Sequence, residues 1–136
     1  KRGNTFDNII LLQNTSPLRQ AQHVKEAMAL YRNDIDMVVS VTEVACNPYY
    51  NCFEEDEKGY LRISKGEGNI TRRQDAPKAW EYNGAIYIIN PSSLKEMTLG
   101  QFKKRVKYIM PRECSVDLDT PFDWKVAELI LSEKQG

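Results

Sequence analysis

The amino-acid sequence predicts an α/β fold, and three observations carry this prediction. The chain has 136 residues, of which 41% are hydrophobic and 28% are charged, as expected for one globular domain with a buried core. Two short runs rich in β-branched residues, 8–13 and 36–44, flank a segment of helical periodicity. A strand, a helix and a strand in this order join parallel strands, so we expect a mostly parallel sheet.

This first unit is predicted in three parts. The strand "NIILLQ" (8–13) is almost wholly apolar, which is typical of a strand buried on both faces. After Pro17 the apolar positions recur at helical spacing, and Thr15 or Ser16 is available as a cap. "DMVVSVTEV" (36–44) is the second buried strand and completes the unit.

Residues 46–77 depart from this pattern. They are polar and rich in turn residues, and "DEKG" (56–59) separates two short strand-like runs, as the turn of a β-hairpin does. We therefore expect an excursion from the main sheet that packs on a partner subunit.

The α/β pattern then resumes. "NGAIYIIN" (83–90) and "VKYIM" (106–110) are predicted strands, and a short helix between them begins at a cap formed by Ser92 or Ser93.

The last segment is predicted to be an amphipathic helix. Thr120 serves as its N-cap, Pro121 takes the first helical position, and Asp123 completes a capping box.

Composition and charge argue against several classes of protein. The formal net charge is zero, so nothing favours binding to nucleic acid or to an anionic membrane. The apolar runs reach only four or five residues, and the start of the chain does not have the pattern of a signal peptide. Three cysteines without CxxC spacing indicate reduced thiols, and hence a cytoplasmic protein.

Two aspartates follow the last predicted strand. Asp117 and Asp119 alternate with Leu118, so in an extended segment their carboxylates point the same way. They lie near the carboxyl edge of the sheet, where open α/β sheets bind ligands. Two carboxylates this close suit a shared hard cation such as Mg²⁺, but spacing alone favours a solvated turn.

Other polar residues are candidates for ligand binding. Gln13 leaves the first strand at the same edge, where its amide suits a polyhydroxylated ligand, although the loop could serve only to cap a helix. Arg73 lies in the basic run "TRRQDAP" and could bind a carboxylate or phosphate, or simply be solvated. Asn83 and Gly84 allow the backbone close to a ligand, and Tyr87 faces either the core or a cleft.

The order of the motifs resembles one family, the acylneuraminate cytidylyltransferases, also called CMP-N-acetylneuraminic acid (CMP-sialic acid) synthetases. The resemblance rests on five blocks that occur in order along nearly the whole chain: "LLQNTSPLR", "MVVSV", "RRQDAP", "NGAIYI" and "SVDLDTPFDWKVAE". It implies a Rossmann-like nucleotidyltransferase fold of the α/β class. It also implies a reaction in which a hydroxyl of a nine-carbon sugar acid attacks the α-phosphate of CTP, giving the CMP-sugar and pyrophosphate.

The resemblance also implies roles for individual residues. Asp117 and Asp119 match the aspartates that bind Mg²⁺, and Gln13 matches a glutamine that contacts the polyol side of the sugar. Arg73 matches an arginine that faces the sugar carboxylate, and Tyr87 a tyrosine of the sugar pocket. Residues 46–77 match a dimerisation excursion of a homodimer, so Arg73 is expected to act across the dimer.

The resemblance leaves some expectations open. The glycine-rich loop that holds CTP in the family has no counterpart here, so residues 1–136 are expected to be a partial domain, the C-terminal two-thirds of the fold. A non-catalytic dimerisation or sugar-binding module, or a transferase for another sugar, are the alternatives. Where some sialic-acid enzymes carry "HP" and a lysine, this chain reads "NPYYN". This departure leaves open the choice between N-acetylneuraminic acid and relatives such as legionaminic acid or a deaminated nonulosonic acid.

Overall fold

A computed structural model describes residues 5–136, and it confirms the α/β class. The strands are β1 (Ile9–Leu12), β2 (Met37–Glu43), β3 (Phe53–Glu55), β4 (Leu61–Ile63), β5 (Trp80–Ile89) and β6 (Arg105–Ile109). The α-helices are α1 (Ala21–Ala29), α2 (Pro91–Glu96) and α3 (Pro121–Gln135). Residues 1–4 of the predicted partial domain lie outside the described residues.

The main sheet has the strand order β1-β5-β2-β6 and is mixed, so the expectation of a mostly parallel sheet was wrong. β1 runs antiparallel to β5, and β2 runs parallel to β6. β5 is also antiparallel to β2, because the amides of Ile86 and Asn90 bond to Ser40 and Asp36 respectively.

The connection between β2 and β5 explains this arrangement. It contains a β-hairpin instead of a crossover helix, so the chain returns beside β2 in the opposite direction. Because β1 and β2 both run antiparallel to β5, they are parallel to each other. The two strands of the β1–α1–β2 unit are therefore parallel, as predicted, but β5 lies between them in the sheet.

The expectation that β1 is buried on both faces was also wrong. β1 is one of the two edge strands of the four-stranded sheet, and its residues are between 37% and 44% exposed. An apolar run indicates a strand, but it does not show what covers the strand on either face. The buried centre is instead formed by residues of β2, β5, β6 and α1 and of the segments next to β2 and β6. Its members are Ala27, Ile35, Val38, Ala85, Ile86, Ile88, Tyr108, Met110 and Cys114.

The chain divides into two compact units, and the second comprises residues 43–81. Within it, β3 and β4 form the expected antiparallel hairpin, with Phe53 opposite Ile63. Asp56 stabilises the turn, because its carboxylate accepts hydrogen bonds from the amides of Lys58 and Tyr60 at 2.9 Å. Gly59 has φ +83°, the left-handed conformation that this tight turn requires.

Two helix caps differ from the expected ones. α1 begins after Gln20, not after Thr15 or Ser16, and the amide of Gln20 donates to Nδ1 of His23. α2 begins after Asn90, whose side chain accepts from the amide of Ser92. In both places another polar residue within a few positions competes for the cap, and the local sequence does not decide between them.

The cap of α3 is as expected. Oγ1 of Thr120 accepts from the amide of Asp123, and Oδ2 of Asp123 accepts from the amide of Thr120 at 2.7 Å. The helix is less amphipathic than expected, since Phe122, Trp124 and Leu129 are exposed and Ala127 is its buried residue. Among residues 5–136, no helix combines the length and the apolar character needed to cross a membrane.

Candidate functional site

Three of the residues singled out from the sequence meet at one point in the first compact unit. Gly84 has φ +73°, a conformation that favours glycine. A Cβ atom at this position would lie 2.6 Å from Oε1 of Gln13 and 3.5 Å from Oδ2 of Asp117. The glycine thus allows an amide and a carboxylate to converge on the backbone of β5.

Two contacts hold the chain segments that carry these groups. Nη1 of Arg19 donates to the carbonyl oxygens of Gln13 at 2.8 Å and Ala85 at 2.9 Å, so one guanidinium joins the end of β1 to β5. The amide of Leu118 donates to the carbonyl oxygen of Thr15 at 2.9 Å. The Asp117 loop is therefore fixed to the loop that follows β1.

The carboxylate of Asp117 has the properties of a cation ligand. Its Oδ1 is buried and has no hydrogen-bond partner among residues 5–136. A buried carboxylate oxygen without a partner is costly, and coordination of a cation would remove that cost. Asp117 therefore fits Mg²⁺, which prefers carboxylate oxygen and completes its shell with water and phosphate.

Asp119 lies two residues further on, at the start of the α3 cap. Its side chain is exposed, and its amide donates to the carbonyl oxygen of Asp117 at 3.1 Å and to Oδ2 of Asp123 at 3.0 Å. The described part of the chain has no cluster of three or more His, Cys, Asp or Glu residues suited to a metal. A cation here would thus depend on two carboxylates, with water or substrate supplying its other ligands.

Tyr87 belongs to the same neighbourhood. It lies in β5 opposite Leu11 of β1, is half-buried, and packs edge-on against Tyr82 with ring centroids 6.1 Å apart. Burial raises the pKa of the Tyr87 hydroxyl, and the nearby Tyr82 and Asp117 raise it further. Tyr87 is therefore protonated near neutral pH and can donate a hydrogen bond.

Asn83 is placed differently from its neighbour Gly84. It is only 5% exposed, and its Oδ1 accepts from Oγ of Ser40 at 2.6 Å. Its Nδ2 donates to Oγ of Ser115 at 3.1 Å. The amide is thus turned into the protein, and its contact with a substrate stays a prediction.

Arg73 lies in the second compact unit. It opens a short 3-10 turn, Arg73–Asp75, and its guanidinium carbon lies 5.5 Å from the centroid of the Tyr50 ring. The neighbouring Arg72 is bound to the carboxylate of Asp75 at 2.8 and 3.2 Å. Of the two arginines, Arg73 is the one that is not committed to Asp75.

Comparison with curated proteins gives three informative relatives. The post-translational flagellin modification protein B of Campylobacter coli is 31% identical over 130 residues, which are 95% of this chain. An N-acylneuraminate cytidylyltransferase of Streptococcus agalactiae serotype V is 42% identical over 118 residues, or 85% of this chain. A CMP-N,N'-diacetyllegionaminic acid synthase of Legionella pneumophila is 26% identical over 132 residues, or 96% of this chain.

The resemblance to the acylneuraminate cytidylyltransferase family is confirmed. The chain spans 54%, 28% and 56% of the lengths of these three relatives, respectively. No family model matches the sequence. Likeness to the cytidylyltransferases therefore rests on relatives that extend well beyond the matched region.

Sequence reasoning missed several residues that organise this site. Arg19 stands in the block "LLQNTSPLR", and its position after a strand end could have marked it as a link to the sheet. Ser40 and Ser115 carry no such signal, because their partner Asn83 is 43 and 32 residues away. Contacts of this range depend on the strand order, which the sequence pattern did not yield.

Proposed function

We propose that the protein is a Mg²⁺-dependent cytidylyltransferase that activates a sialic-acid-like nonulosonic acid with CTP. The products are the CMP-sugar and pyrophosphate. The observation that carries this proposal is the meeting of Gln13, Gly84 and Asp117 at one point, with a buried Asp117 oxygen that has no hydrogen-bond partner within residues 5–136. The names of the related cytidylyltransferase and CMP-sugar synthase support the substrate class.

The proposed reaction needs positioning more than covalent help from the protein. A hydroxyl oxygen of the sugar attacks the α-phosphorus of CTP, and its proton passes to solvent water. The bond from that phosphorus to the pyrophosphate oxygen breaks, and pyrophosphate leaves. Gln13 binds the polyol part of the sugar through its amide, and Tyr87 contacts the sugar from β5. The absence of a side chain at Gly84 leaves room for the Gln13 amide and the Asp117 carboxylate beside β5.

Asp117 and Asp119 are the residues that would hold Mg²⁺. When bound, the ion would supply positive charge to the phosphates and make the attacking hydroxyl more acidic. Their carboxylates suit this hard cation, and the cap of α3 fixes the backbone of Asp119. His23 accepts a hydrogen bond from the Gln20 amide at the start of α1, so we do not assign it the role of a base.

The finer architecture is part of the same proposal. We assign the full-length protein a Rossmann-like nucleotidyltransferase fold, a cytoplasmic location and a homodimer. The hairpin supports the dimer, because Phe53, Tyr60 and Leu61 are 51%, 67% and 69% exposed. Exposed apolar side chains on one short hairpin suit a protein partner. Arg73, on the same unit, would bind the sugar carboxylate of the partner's site.

The test is pyrophosphate release by the full-length protein with CTP and Mg²⁺, against a panel of nonulosonic acids. We expect release with at least one sialic-acid-like sugar, and none when Mg²⁺ is chelated. Asp119→Asn is expected to abolish the Mg²⁺-dependent release. Release with other sugars only, or with another nucleotide in preference to CTP, would refute the proposal.

A further inference from the structure

A polar network links β2 and β5 to the loop that carries Asp117. Oδ1 of Asn83 accepts from Oγ of Ser40 at 2.6 Å and from the amide of Ala85 at 3.1 Å. The amide of Ile86 donates to the same Ser40 hydroxyl at 2.7 Å. Ser40 is fully buried, and so β2 and β5 are joined here by side chains as well as by backbone.

The other half of the Asn83 amide reaches the loop that carries Asp117. Nδ2 donates to Oγ of Ser115 at 3.1 Å and lies 3.3 Å from Sδ of Met110. Oγ of Ser115 in turn donates to the carbonyl oxygen of Pro111 at 2.7 Å. Asn83 thus uses both acceptor sites of its oxygen and both donor hydrogens of its nitrogen within the protein.

These contacts place the side-chain amide of Asn83 between the backbone at Gly84 and the loop that carries Asp117. Asn83 precedes Gly84, whose left-handed conformation it stabilises through the bond to the Ala85 amide. Ser115 precedes Asp117 by two residues, and its hydroxyl is the point at which the loop is tied to β5. A buried network whose members are all satisfied rigidifies the groups that it joins.

We infer that Asn83 and Ser115 are a positioning pair, which holds the Asp117 carboxylate beside Gly84 and Gln13 by the Asn83–Ser115 hydrogen bond. In this role both residues act through the Asp117 loop and not through the substrate. Loss of the bond lets the Asp117 loop move and weakens cation binding there. The inference rests on the proposed function for its cation, but the hydrogen bond and its effect on the loop are tested separately.

The experiment compares Ser115→Ala with two other variants in the full-length protein. Ser115→Thr keeps a hydroxyl and serves as the rescue. Ser132→Ala is the matched control, because its hydroxyl bonds only to the carbonyl oxygen of Leu129 on exposed α3. Hydrogen exchange at the Leu118 amide reports on the loop, and Mn²⁺ binding by electron paramagnetic resonance reports on the cation site.

In Ser115→Ala we expect exchange at Leu118 to accelerate and Mn²⁺ affinity to fall about threefold to tenfold, as for loss of one hydrogen bond. Ser115→Thr is expected to restore both, and Ser132→Ala to change neither. Unchanged exchange at Leu118 in Ser115→Ala overturns the inference, whatever the catalytic activity. Faster exchange with unchanged Mn²⁺ affinity also overturns it, as does failure of Mn²⁺ to bind the unmodified protein. A protein that binds Mn²⁺ as expected but releases no pyrophosphate refutes the proposed function alone.

Discussion

Replacing Gly84 by alanine is a direct perturbation of the proposed site. The new methyl carbon would stand 2.6 Å from Oε1 of Gln13, well inside van der Waals contact. That oxygen is at the far end of a flexible side chain, so the amide of Gln13 is expected to swing away. Asp117 is disturbed less, because its Oδ2 would be 3.5 Å from the methyl carbon.

Two magnitudes follow from this geometry. Alanine at φ +73° costs about 1–2 kcal/mol of unfolding free energy, because a left-handed backbone brings Cβ too close to the next carbonyl. Displacing Gln13 would remove the hydrogen bond to the sugar that we propose for its amide, worth about 0.5–1.5 kcal/mol. The KM for the sugar should therefore rise about twofold to tenfold, while the KM for CTP changes little.

Two glycine variants separate strain from collision. Gly68→Ala introduces the same strain, at φ +74°, but its Cβ would be 3.6 Å from Ile63 and makes only ordinary contact. It should lower the unfolding free energy without raising the KM for the sugar. Gly100→Ala, with no atom within 4 Å of its Cβ, should do neither.

The assays are urea denaturation and steady-state kinetics of pyrophosphate release. A double variant, Gly84→Ala with Gln13→Ala, should raise the KM for the sugar no further than Gln13→Ala alone, because the collision then has no target. The reasoning is refuted if Gly84→Ala leaves the KM for the sugar unchanged, or if its effect adds fully to that of Gln13→Ala.

Three further predictions concern single side chains. Arg73→Ala should raise the KM for the sugar about tenfold or more and change the KM for CTP little, as expected for loss of a charged hydrogen bond. Arg72→Ala is the control and should have a much smaller effect, because the Arg72 guanidinium is already bound to Asp75. A larger effect of Arg73→Ala on the KM for CTP would mean that Arg73 binds phosphate instead. Asp117→Asn should raise the unfolding free energy by about 1 kcal/mol without divalent cations, by relieving a buried unpaired carboxylate oxygen, and should abolish stabilisation by Mg²⁺. Burial and the bond to Glu26 raise the pKa of Tyr108 to about 12, so the stability that it contributes is complete below about pH 10 and is lost as the pH rises towards 12. Urea midpoints across this range should fall less steeply for Tyr108→Phe than for the unmodified protein, and equal slopes would contradict the assignment.

The sequence predicted those parts of the fold that depend on local chemistry. The hairpin turn at 56–59 and the Thr120 cap were found, because aspartate and threonine side chains bond to amides only a few residues away. The direction of β5 was not found, since it depends on how the segment 43–81 returns the chain to the sheet.

In the candidate site, too, local sequence predicted some residues, while others depended on tertiary structure. Gln13, Gly84 and Asp117 were each singled out by their place at a strand end or before a strand, and the structure brings them together. Arg19, Ser40 and Ser115, which support them, were not, because their contacts with β5 span between 32 and 66 residues of sequence. Such contacts follow from strand order, which the sequence pattern did not predict.

The two carboxylates also show where local reasoning ends. Spacing left Asp117 and Asp119 open between a solvated turn and a cation site. The structure shows that the two aspartates differ. Asp117 has a buried oxygen without a partner among the described residues, while Asp119 is exposed. Burial of one atom depends on tertiary structure, so the motif alone cannot predict it.

The central claim is that Gln13, Gly84 and Asp117 form one cation-dependent site. A titration of the isotopically labelled full-length protein with Mn²⁺ tests it most directly, because the ion broadens nuclear magnetic resonance signals near its binding place. We expect the signals of the Gly84 amide and the Gln13 side-chain amide to broaden first, while the Gly100 signal stays sharp, and Asp117→Asn to remove this preference. The claim is contradicted if broadening begins instead at the acidic hairpin, whose cavity of about 490 Å³ is lined by residues 54–57, while the Gly84 and Gln13 signals stay sharp.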